Sequence, residues 1–223
     1  MKRKQTSGVS SVEFAFSMLV LVPLLLGTGV IGINMIRTLE TIQLARDVGH
    51  MYARGVDFGQ PGNQSVLVTL GSQLGLTNSA ATSKAVVILS NLLYIDQAAC
   101  AAVGAVDGAG NPSGCTNYTK WVFTQRVVLG DPSVRASNYG SPLTSGPTGV
   151  TVDPTTGKIS PNEYTVKAGA VATFSSINPY SNVGGVVSGL PSGQSLFLAE
   201  TGARGFNMPP FVANAVTYSF RLF

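Results

Sequence analysis

The sequence predicts an α+β protein: a long N-terminal membrane-spanning helix that continues as a stalk, followed by a small antiparallel β-rich domain. The first observation is an uncharged, largely apolar run of twenty residues, Phe14 to Ile33, because about twenty such residues suffice to span a bilayer. The second is the helical spacing of apolar residues beyond that run. The third is a set of later segments in which apolar and polar residues alternate, as they do in half-buried strands.

Composition favours an anchored protein whose domain lies outside the cytoplasm. The chain has 223 residues, of which only 11% are charged, against roughly 25% in soluble domains. Its 26 Gly and 12 Pro favour a secreted, β-rich surface over a cytosolic enzyme. Three of the fourteen basic residues are Lys2, Arg3 and Lys4, and the other eleven nearly balance ten acidic residues. Direct nucleic-acid binding therefore has little electrostatic support, and the basic start indicates a cytoplasmic flank.

The N-terminal segment allows three interpretations. A cleaved secretory signal peptide agrees with the basic start, but the apolar run exceeds the roughly 7–15 residues of such peptides. A plain, uncleaved anchor agrees with the length but gives no reason for Glu13. In the third interpretation, residues 1–8 are a short basic leader that a membrane peptidase removes after Gly8. Val9 then becomes the N-terminus, and the apolar helix is retained.

Glu13 favours the third interpretation. A carboxylate at the edge of a membrane-spanning run is costly unless it is paired. After cleavage at Gly8, Glu13 is the fifth residue, and its carboxylate can pair with the α-amino group of Val9 on a neighbouring subunit. In a low-dielectric environment, that pairing offsets the penalty of burying either charge alone.

These residues carry a resemblance to a known family. The spacing Gly8-x-x-x-x-Glu13-Phe14 resembles that of type IV pilin-like precursors, especially the tight-adherence (Flp/Tad) branch. Residues 12–16, Val-Glu-Phe-Ala-Phe, and residues 23–27, Pro-Leu-Leu-Leu-Gly, are similar to the pattern of the TadE-like family of pseudopilins.

A second part of the family pattern lies further along the chain. It is an Ala-Arg pair followed by another Arg about eight residues later, which matches residues 45–46 and Arg54. The resemblance covers about residues 8–55, a quarter of the chain. It departs from typical members close to Met51, where this chain has His50 in place of an Arg.

The resemblance implies a function and a set of partners. A TadE-like minor pilin or pseudopilin takes part in assembly of a bacterial tight-adherence pilus, and such a pilus can serve cell adhesion, secretion or DNA uptake. A prepilin peptidase would cut between Gly8 and Val9, and Glu13 and Phe14 would contribute to pairing with a neighbour's N-terminus. The inner-membrane pilus assembly platform and other pilin or pseudopilin subunits would be assembly partners. The chain would cross the lipid of the inner membrane once, with its N-terminus cytoplasmic and its C-terminus periplasmic, and could enter an extracellular pilus.

The predicted helix extends from Val9 to about Arg54, which is about 69 Å at 1.5 Å per residue. Residues 9–55 are therefore interpreted as a transmembrane and stalk region, and residues 56–223 as an extracytoplasmic domain. Pro23 removes one backbone hydrogen bond and is expected to kink or loosen the helix. Beyond the apolar run, the chain keeps a helical period, carried by Met35, Leu39, Ile42, Ala45 or Arg46, Gly49 and Tyr52.

Five further residues of this helix are candidate contact residues. Gly27, Gly29 and Gly32 would let another helix approach closely. Arg46 and Arg54 lie eight positions apart, on roughly one face. They either meet acidic groups on a neighbour or form a solvated face of the stalk.

The rest of the chain is predicted to be β-rich. A helix break is expected at residues 60–63, where Pro and Gly occur together, and residues 65–76 are a candidate short helix. Strands are predicted from apolar runs or alternation at residues 85–95, 121–129, 164–174, 195–200 and 216–222. Two segments rich in Ser, Gly, Pro, Thr and Asn, residues 137–161 and 175–195, are predicted to be surface loops.

Little in the sequence points to chemistry. Cys100 and Cys115 lie outside any CxxC motif and His50 is the only histidine, so a metal site is not expected. A disulfide is expected if the domain lies outside the cytoplasm. Phosphate-loop, dinucleotide and Gly-x-Ser-x-Gly motifs are missing from the sequence, so neither an enzyme nor a cofactor is expected. The alternatives are an uncleaved single-pass, membrane-anchored periplasmic binding module with no pilus role, and a secreted hydrolase cleaved near Gly29.

Overall fold

The computed structural model of the chain describes residues 7–173, 181–183, 186–188, 193 and 195–223. The α-helices are α1 (Ser7–Ala53), α2 (Pro61–Leu70), α3 (Gln97–Ala102) and α4 (Pro161–Val166), and two 3-10 turns are Ser72–Leu74 and Ala168–Ala170. The strands are β1 (Ala85–Tyr94), β2 (Trp121–Gly130), β3 (Ser181–Val183), β4 (Val186–Ser188), β5 (Ser195–Arg204) and β6 (Val216–Leu222).

Helix α1 is a single helix of 47 residues that includes both the apolar run and the stalk. Pro23 lies inside it without ending it. The helix ends where Gly55 takes a left-handed φ of 89° and the N–H of Val56 donates to the carbonyl of Met51 at 3.1 Å, a glycine-dependent end of a helix. The predicted long N-terminal helix is confirmed, with bounds within about two residues of those predicted, as is usual for helix ends.

The four long strands form one antiparallel sheet in the order β2-β1-β5-β6. Strand β1 is buried at most positions and reads as a nearly continuous apolar run, because both faces of the sheet are covered. The antiparallel α+β architecture is therefore confirmed. The strands predicted at residues 85–95, 121–129 and 216–222 are present, and β5 continues four residues past the predicted segment 195–200.

The hydrophobic core has two main parts, one on each side of the sheet. Helix α1 lies against β5 and β6. The core cluster between α1, α2 and the sheet includes Leu44, Val48, Tyr52, Phe58, Leu67, Leu76, Val87, Leu89, Leu129 and Ala199. The second cluster includes Leu92, Cys100, Cys115, Trp121, Phe123, Tyr139, Ile159 and Leu198. Close packing on both faces makes the sheet the centre of the domain.

The predicted disulfide between Cys100 and Cys115 is present, with Cα atoms 5.7 Å apart. Cys100 lies in α3, which begins after Asp96, whose carboxylate accepts a hydrogen bond from the N–H of Ala99 at 2.8 Å. Such a side-chain cap is the usual way to start a helix. Both cysteines are buried, so the crosslink is part of the second core cluster.

Two predicted elements differ from the structure. The strand predicted at residues 164–174 is wrong, because this segment belongs to α4 and the 3-10 turn that follows, while Phe174 lies outside the described residues. The helix predicted at residues 65–76 begins earlier, at Pro61, and ends at Leu70. Most of the predicted loop at residues 175–195 lies outside the described residues, although it includes the short antiparallel pair β3–β4.

The error at α4 has a local cause. Pro161 occupies the first turn of the helix. Backbone N–H groups in the first turn have no intrahelical partner, so the lack of an N–H in proline costs no hydrogen bond there. Glu163 and Lys167 stand one turn apart and form an ion pair at 2.5 Å, an arrangement that favours a helix. The alternating apolar positions that follow are mainly alanines, which have low strand propensity.

The double substitution Cys100→Ser and Cys115→Ser should lower the free energy of unfolding by about 3 kcal/mol, because the crosslink restricts the unfolded chain over a loop of roughly fifteen residues. The measurement is equilibrium unfolding of the full chain in detergent by guanidinium, followed by near-UV circular dichroism. A reductant should shift the midpoint of the native chain towards that of the double variant and leave the variant unchanged. Equal midpoints for the oxidised native chain and the variant would contradict this prediction.

Candidate membrane and assembly interface

The N-terminal part of α1 stands clear of the rest of the chain. Every side chain from Ser11 to Leu26 is exposed, and between residues 27 and 33 only Gly27 and Val30 are covered. In the part of the chain that the structure describes, α1 is the one helix long and apolar enough to cross a membrane. An apolar surface of this extent requires a bilayer or an apolar partner.

Glu13 lies on this exposed surface, next to Phe14, which is 63% exposed. Gly8 and Val9 lie in the first turn of α1. Glu13 makes no hydrogen bond or ion pair with any residue that the structure describes. Its carboxylate is therefore available to a group outside the chain, while the pairing with a neighbour's N-terminus stays a prediction.

One stripe of α1 contacts the rest of the chain. Its members are spaced three or four positions apart, which keeps them on one face of a helix: Gly27, Val30, Asn34, Arg37, Thr41, Leu44, Val48 and Tyr52. This stripe differs from the face marked by the helical spacing in the sequence, where Met35 and Leu39 are 65% and 60% exposed. Apolar periodicity could not identify the face of α1 that contacts the domain, because the middle of that face is polar.

The polar residues of the stripe bind the backbone between β5 and β6. The side-chain amide of Asn34 donates to the carbonyl of Phe206 at 3.1 Å and accepts from the N–H of the same residue at 2.8 Å. Arg37 donates to the carbonyl of Arg204 at 2.6 Å, and Arg204 forms an ion pair with Asp131 at 3.2 Å. Three hydrogen bonds thus join α1 to a segment that would otherwise expose unpaired backbone groups.

Two buried side-chain pairs continue this contact into the domain. The hydroxyls of Thr41 and Thr217 are 2.8 Å apart, and the hydroxyl of Tyr52 donates to Oε1 of Gln125 at 3.0 Å. Burial raises the pKa of Tyr52 far above its ordinary value, and the nearby Asp57 adds to that effect. The phenol therefore stays protonated and able to donate at physiological pH.

The segment between β5 and β6, residues 205–215, is called the apolar loop here. It folds back along α1, so that the ring of Phe211 lies 3.6 Å from the position of a Cβ on Gly27. Phe206 and Phe211 are 40% and 41% exposed. Sequence analysis assigned this loop no role. The signal that could have found it is the lack of any charged residue from Gly205 to Phe220.

An open groove of about 550 Å³ lies between α1, the apolar loop and β6. Its lining is mainly apolar and includes Ile31, Met35, Leu39, Val212 and Val216. The exposed apolar surface of α1 therefore continues past the predicted span into this groove.

The glycines and arginines singled out in the sequence have different surroundings. Gly27 permits a close approach, but in this chain the approaching group is the ring of Phe211, whereas Gly29 and Gly32 have open space beside them. Their role in packing with a second helix stays a prediction.

Arg46 and Arg54 are both exposed and form no ion pair with the residues that the structure describes. They remain available to acidic groups on a neighbour or to solvent. His50 lies between them on α1, with its ring centroid 4.7 Å from that of Phe223, so the imidazole packs on an aromatic ring.

Glu200 on β5 is a buried carboxylate to which the sequence analysis assigned no role. It is 1% exposed and accepts hydrogen bonds from the Ser137 hydroxyl at 2.5 Å, the N–H of Asn138 at 3.0 Å and the Tyr218 hydroxyl at 2.5 Å. Burial, together with Glu200, raises the pKa of Tyr218. Burial lowers the pKa of Arg126, while attraction to Glu200 opposes that shift. With its oxygens already bonded, Glu200 ties the chain after β2 to the sheet.

Comparison with known proteins adds no family assignment. A scan against protein-family models and searches of curated proteins and of solved structures find no match. Among the described residues, no group of three or more His, Cys, Asp or Glu side chains is placed to hold a metal ion. The geometry of α1 and the apolar loop is therefore the basis for a functional proposal.

Replacing Asn34 by Ala should free the backbone of Phe206, because both hydrogen bonds to it are lost. Each bond is worth roughly 1 kcal/mol, so the Phe206 amide should exchange its hydrogen about tenfold faster or more. The measurement is hydrogen–deuterium exchange of the full chain in detergent. Asn78→Ala is the matched control, since Asn78 is exposed and distant in sequence from the loop. Equal protection of Phe206 in the two variants would show that Asn34 does not hold the loop.

Proposed function

We propose that this chain is a TadE-like minor pilin or pseudopilin that takes part in assembly of a bacterial tight-adherence pilus. Helix α1 anchors it in the inner membrane, with the N-terminus cytoplasmic and the β domain outside. A prepilin peptidase removes residues 1–8. The pilus assembly platform and other pilin or pseudopilin subunits are its partners, and no catalysis by the chain itself is required.

The observation that carries this proposal is an uncovered apolar helix with one carboxylate near its start. Glu13 is the only charged residue between Lys4 and Arg37, and it has no partner among the described residues. A plain anchor gains nothing from an acidic residue at the edge of its span, where a charge is costly. A subunit of an assembly does gain from this residue, because the α-amino group of Val9 on a neighbouring subunit can neutralise the Glu13 carboxylate in a low-dielectric contact.

The packing of the domain on α1 supports the same proposal. Only one stripe of α1 is covered by the chain's own domain, and the remaining faces are exposed from Ser11 to Leu39 apart from a few partly covered positions. Subunit contacts along those faces would leave the domain in place on its stalk. Arg46 and Arg54 are exposed on the stalk and would add polar contacts with acidic groups on a neighbour.

Processing should convert the chain to a form that begins at Val9. The measurement is intact mass and N-terminal analysis of the protein extracted from membranes of cells that contain a prepilin peptidase. Gly8→Leu should abolish the cut, because a bulky side chain hinders close approach of the peptidase to the backbone. Gly29→Leu is the matched control, since a Cβ at Gly29 meets open space, and it should be processed normally.

The two alternatives predict other masses. A start near Val30 would indicate a secretory signal peptide and would overturn the proposal. An intact Met1 would leave an uncleaved anchored binding module. Neither result depends on whether a pilus is visible.

Glu13→Gln should impair assembly without impairing membrane insertion. Breaking a buried ion pair costs roughly 3–5 kcal/mol, so incorporation should fall by about tenfold or more. The measurement compares the amount of chain in the sheared filament fraction with the amount in carbonate-washed membranes. Glu40→Gln is the matched control, because Glu40 lies on the stalk of the same helix, and it should assemble normally.

Equal incorporation of the Glu13 and Glu40 variants would remove Glu13 from assembly and favour the binding module. A Glu13 variant missing from the washed membranes would instead point to a role in insertion, which would also contradict the proposal.

A further inference from the structure

We propose that the apolar loop, residues 205–215, is a second membrane contact whose tip enters the acyl chains of the leaflet on the side of the β domain. The proposal rests on the membrane-spanning part of the proposed function and is independent of pilus assembly. It concerns a segment that lies about 170 residues beyond the span in sequence and reaches it only through the fold.

The depth of the loop follows from its contact with α1. The ring of Phe211 packs beside Gly27. Gly27 is six residues before Ile33, where the uncharged run ends. At 1.5 Å per residue, Gly27 lies about 9 Å inside that end. A run that spans a hydrocarbon core of about 30 Å therefore carries Phe211 into the same apolar layer.

The side chains of the tip suit that layer. Residues 208–212 read Met-Pro-Pro-Phe-Val, and the loop contains no charged residue. Phe211 and Phe206 are each about two-fifths exposed, at 41% and 40%. Transfer of such exposed aromatic surface from water to acyl chains is favourable in proportion to its area. The amount inserted is small, as for other segments that enter a membrane from its surface.

The backbone of the tip is also compatible with hydrocarbon. The N–H of Met208 donates to the carbonyl of Val212 at 2.8 Å, and the N–H groups of Phe211 and Val212 donate to the carbonyl of Met208 at 2.9 and 3.0 Å. Pro209 and Pro210 have no N–H. Every backbone donor from residue 208 to residue 212 is therefore either bonded within the loop or missing, which removes the cost of placing unpaired N–H groups in lipid.

Charge is confined to the base of the loop. Arg37, the first charged residue of α1 after Glu13, lies ten residues beyond Gly27, about 15 Å along the helix axis. It donates to the carbonyl of Arg204, directly before the loop, and Arg204 pairs with Asp131. Apolar groups at the tip and basic groups at the base match the change from acyl chains to headgroups.

The surroundings of the tip favour lipid as the group that covers it. Leu24 and Ile31, on α1 on either side of Gly27 in sequence, are 64% and 58% exposed. These residues belong to the surface that faces acyl chains if α1 spans the membrane. The tip and the span therefore form one continuous apolar surface, and the lipid that covers one covers the other.

The test uses the full chain in vesicles of phosphatidylcholine and phosphatidylglycerol, with Trp121, the single tryptophan, replaced by Phe. A new tryptophan is placed by Phe211→Trp in the loop, by Leu24→Trp in the span, or by Leu143→Trp as an exposed control, since Leu143 is 48% exposed. Quenching of tryptophan emission is measured with lipids brominated near the headgroup or near the chain end.

The Phe211→Trp chain should lose about half of its emission with the shallow bromine and less with the deep one, because loops of this kind enter only the outer part of the acyl layer. The Leu24→Trp chain should respond more to the deep bromine, and the Leu143→Trp chain to neither. Phe206→Trp provides a second reporter if Phe211→Trp does not fold, and it should show weaker shallow quenching.

Each other outcome is decisive. Quenching at Leu24→Trp without quenching at Phe211→Trp and Phe206→Trp would mean that the loop stays outside the acyl chains, and the inference would fail while the membrane span stands. Lack of quenching at Leu24→Trp would instead overturn the membrane-spanning part of the proposed function.

Discussion

The fold depends on the continuity of α1, one helix that includes both the exposed apolar run and the stripe on which the domain packs. A helix pairs its own backbone groups, which is why it can cross lipid. Ending α1 after the apolar run and starting a second helix would leave four unpaired N–H groups and four unpaired carbonyls at the break. Because α1 continues to Ala53, the stalk instead presents a regular stripe on which the sheet packs. The apolar run and the domain are thereby joined by one continuous helix.

The stripe changes character along its length in a way that follows its surroundings. Near the domain it is apolar, with Leu44, Val48 and Tyr52 buried in the core. Near the end of the apolar run it is polar, because Asn34 and Arg37 bind the backbone leading into the apolar loop. Backbone groups at the start of this connection would otherwise be unpaired, and side chains of α1 supply their partners.

The remainder of the domain is stabilised by one crosslink and one buried carboxylate. The disulfide Cys100–Cys115 holds the segment after β1, and Glu200 holds the segment after β2 through Ser137 and Asn138. A carboxylate buried to this degree would be strongly destabilising without hydrogen-bond donors. Here two hydroxyl groups and one backbone N–H donate to it. These contacts explain how a chain with few charges can order long loops over its sheet.

The sequence by itself determined those features whose causes are local. The length of α1 follows from the apolar run and the helical spacing that continues beyond it, and the strands β1, β2 and β6 follow from their apolar and alternating residues. The disulfide is expected from the two cysteines on the condition that the domain lies outside the cytoplasm. Only the tertiary structure decided the strand order, the face of α1 that packs and the position of the apolar loop beside Gly27. Those features depend on contacts between residues far apart in the chain, such as Asn34 with Phe206. Asn34 is a polar side chain on the packed face of α1, where hydrophobic periodicity predicts an apolar one. It fits there because it contacts the backbone N–H and carbonyl of Phe206 rather than a hydrophobic surface.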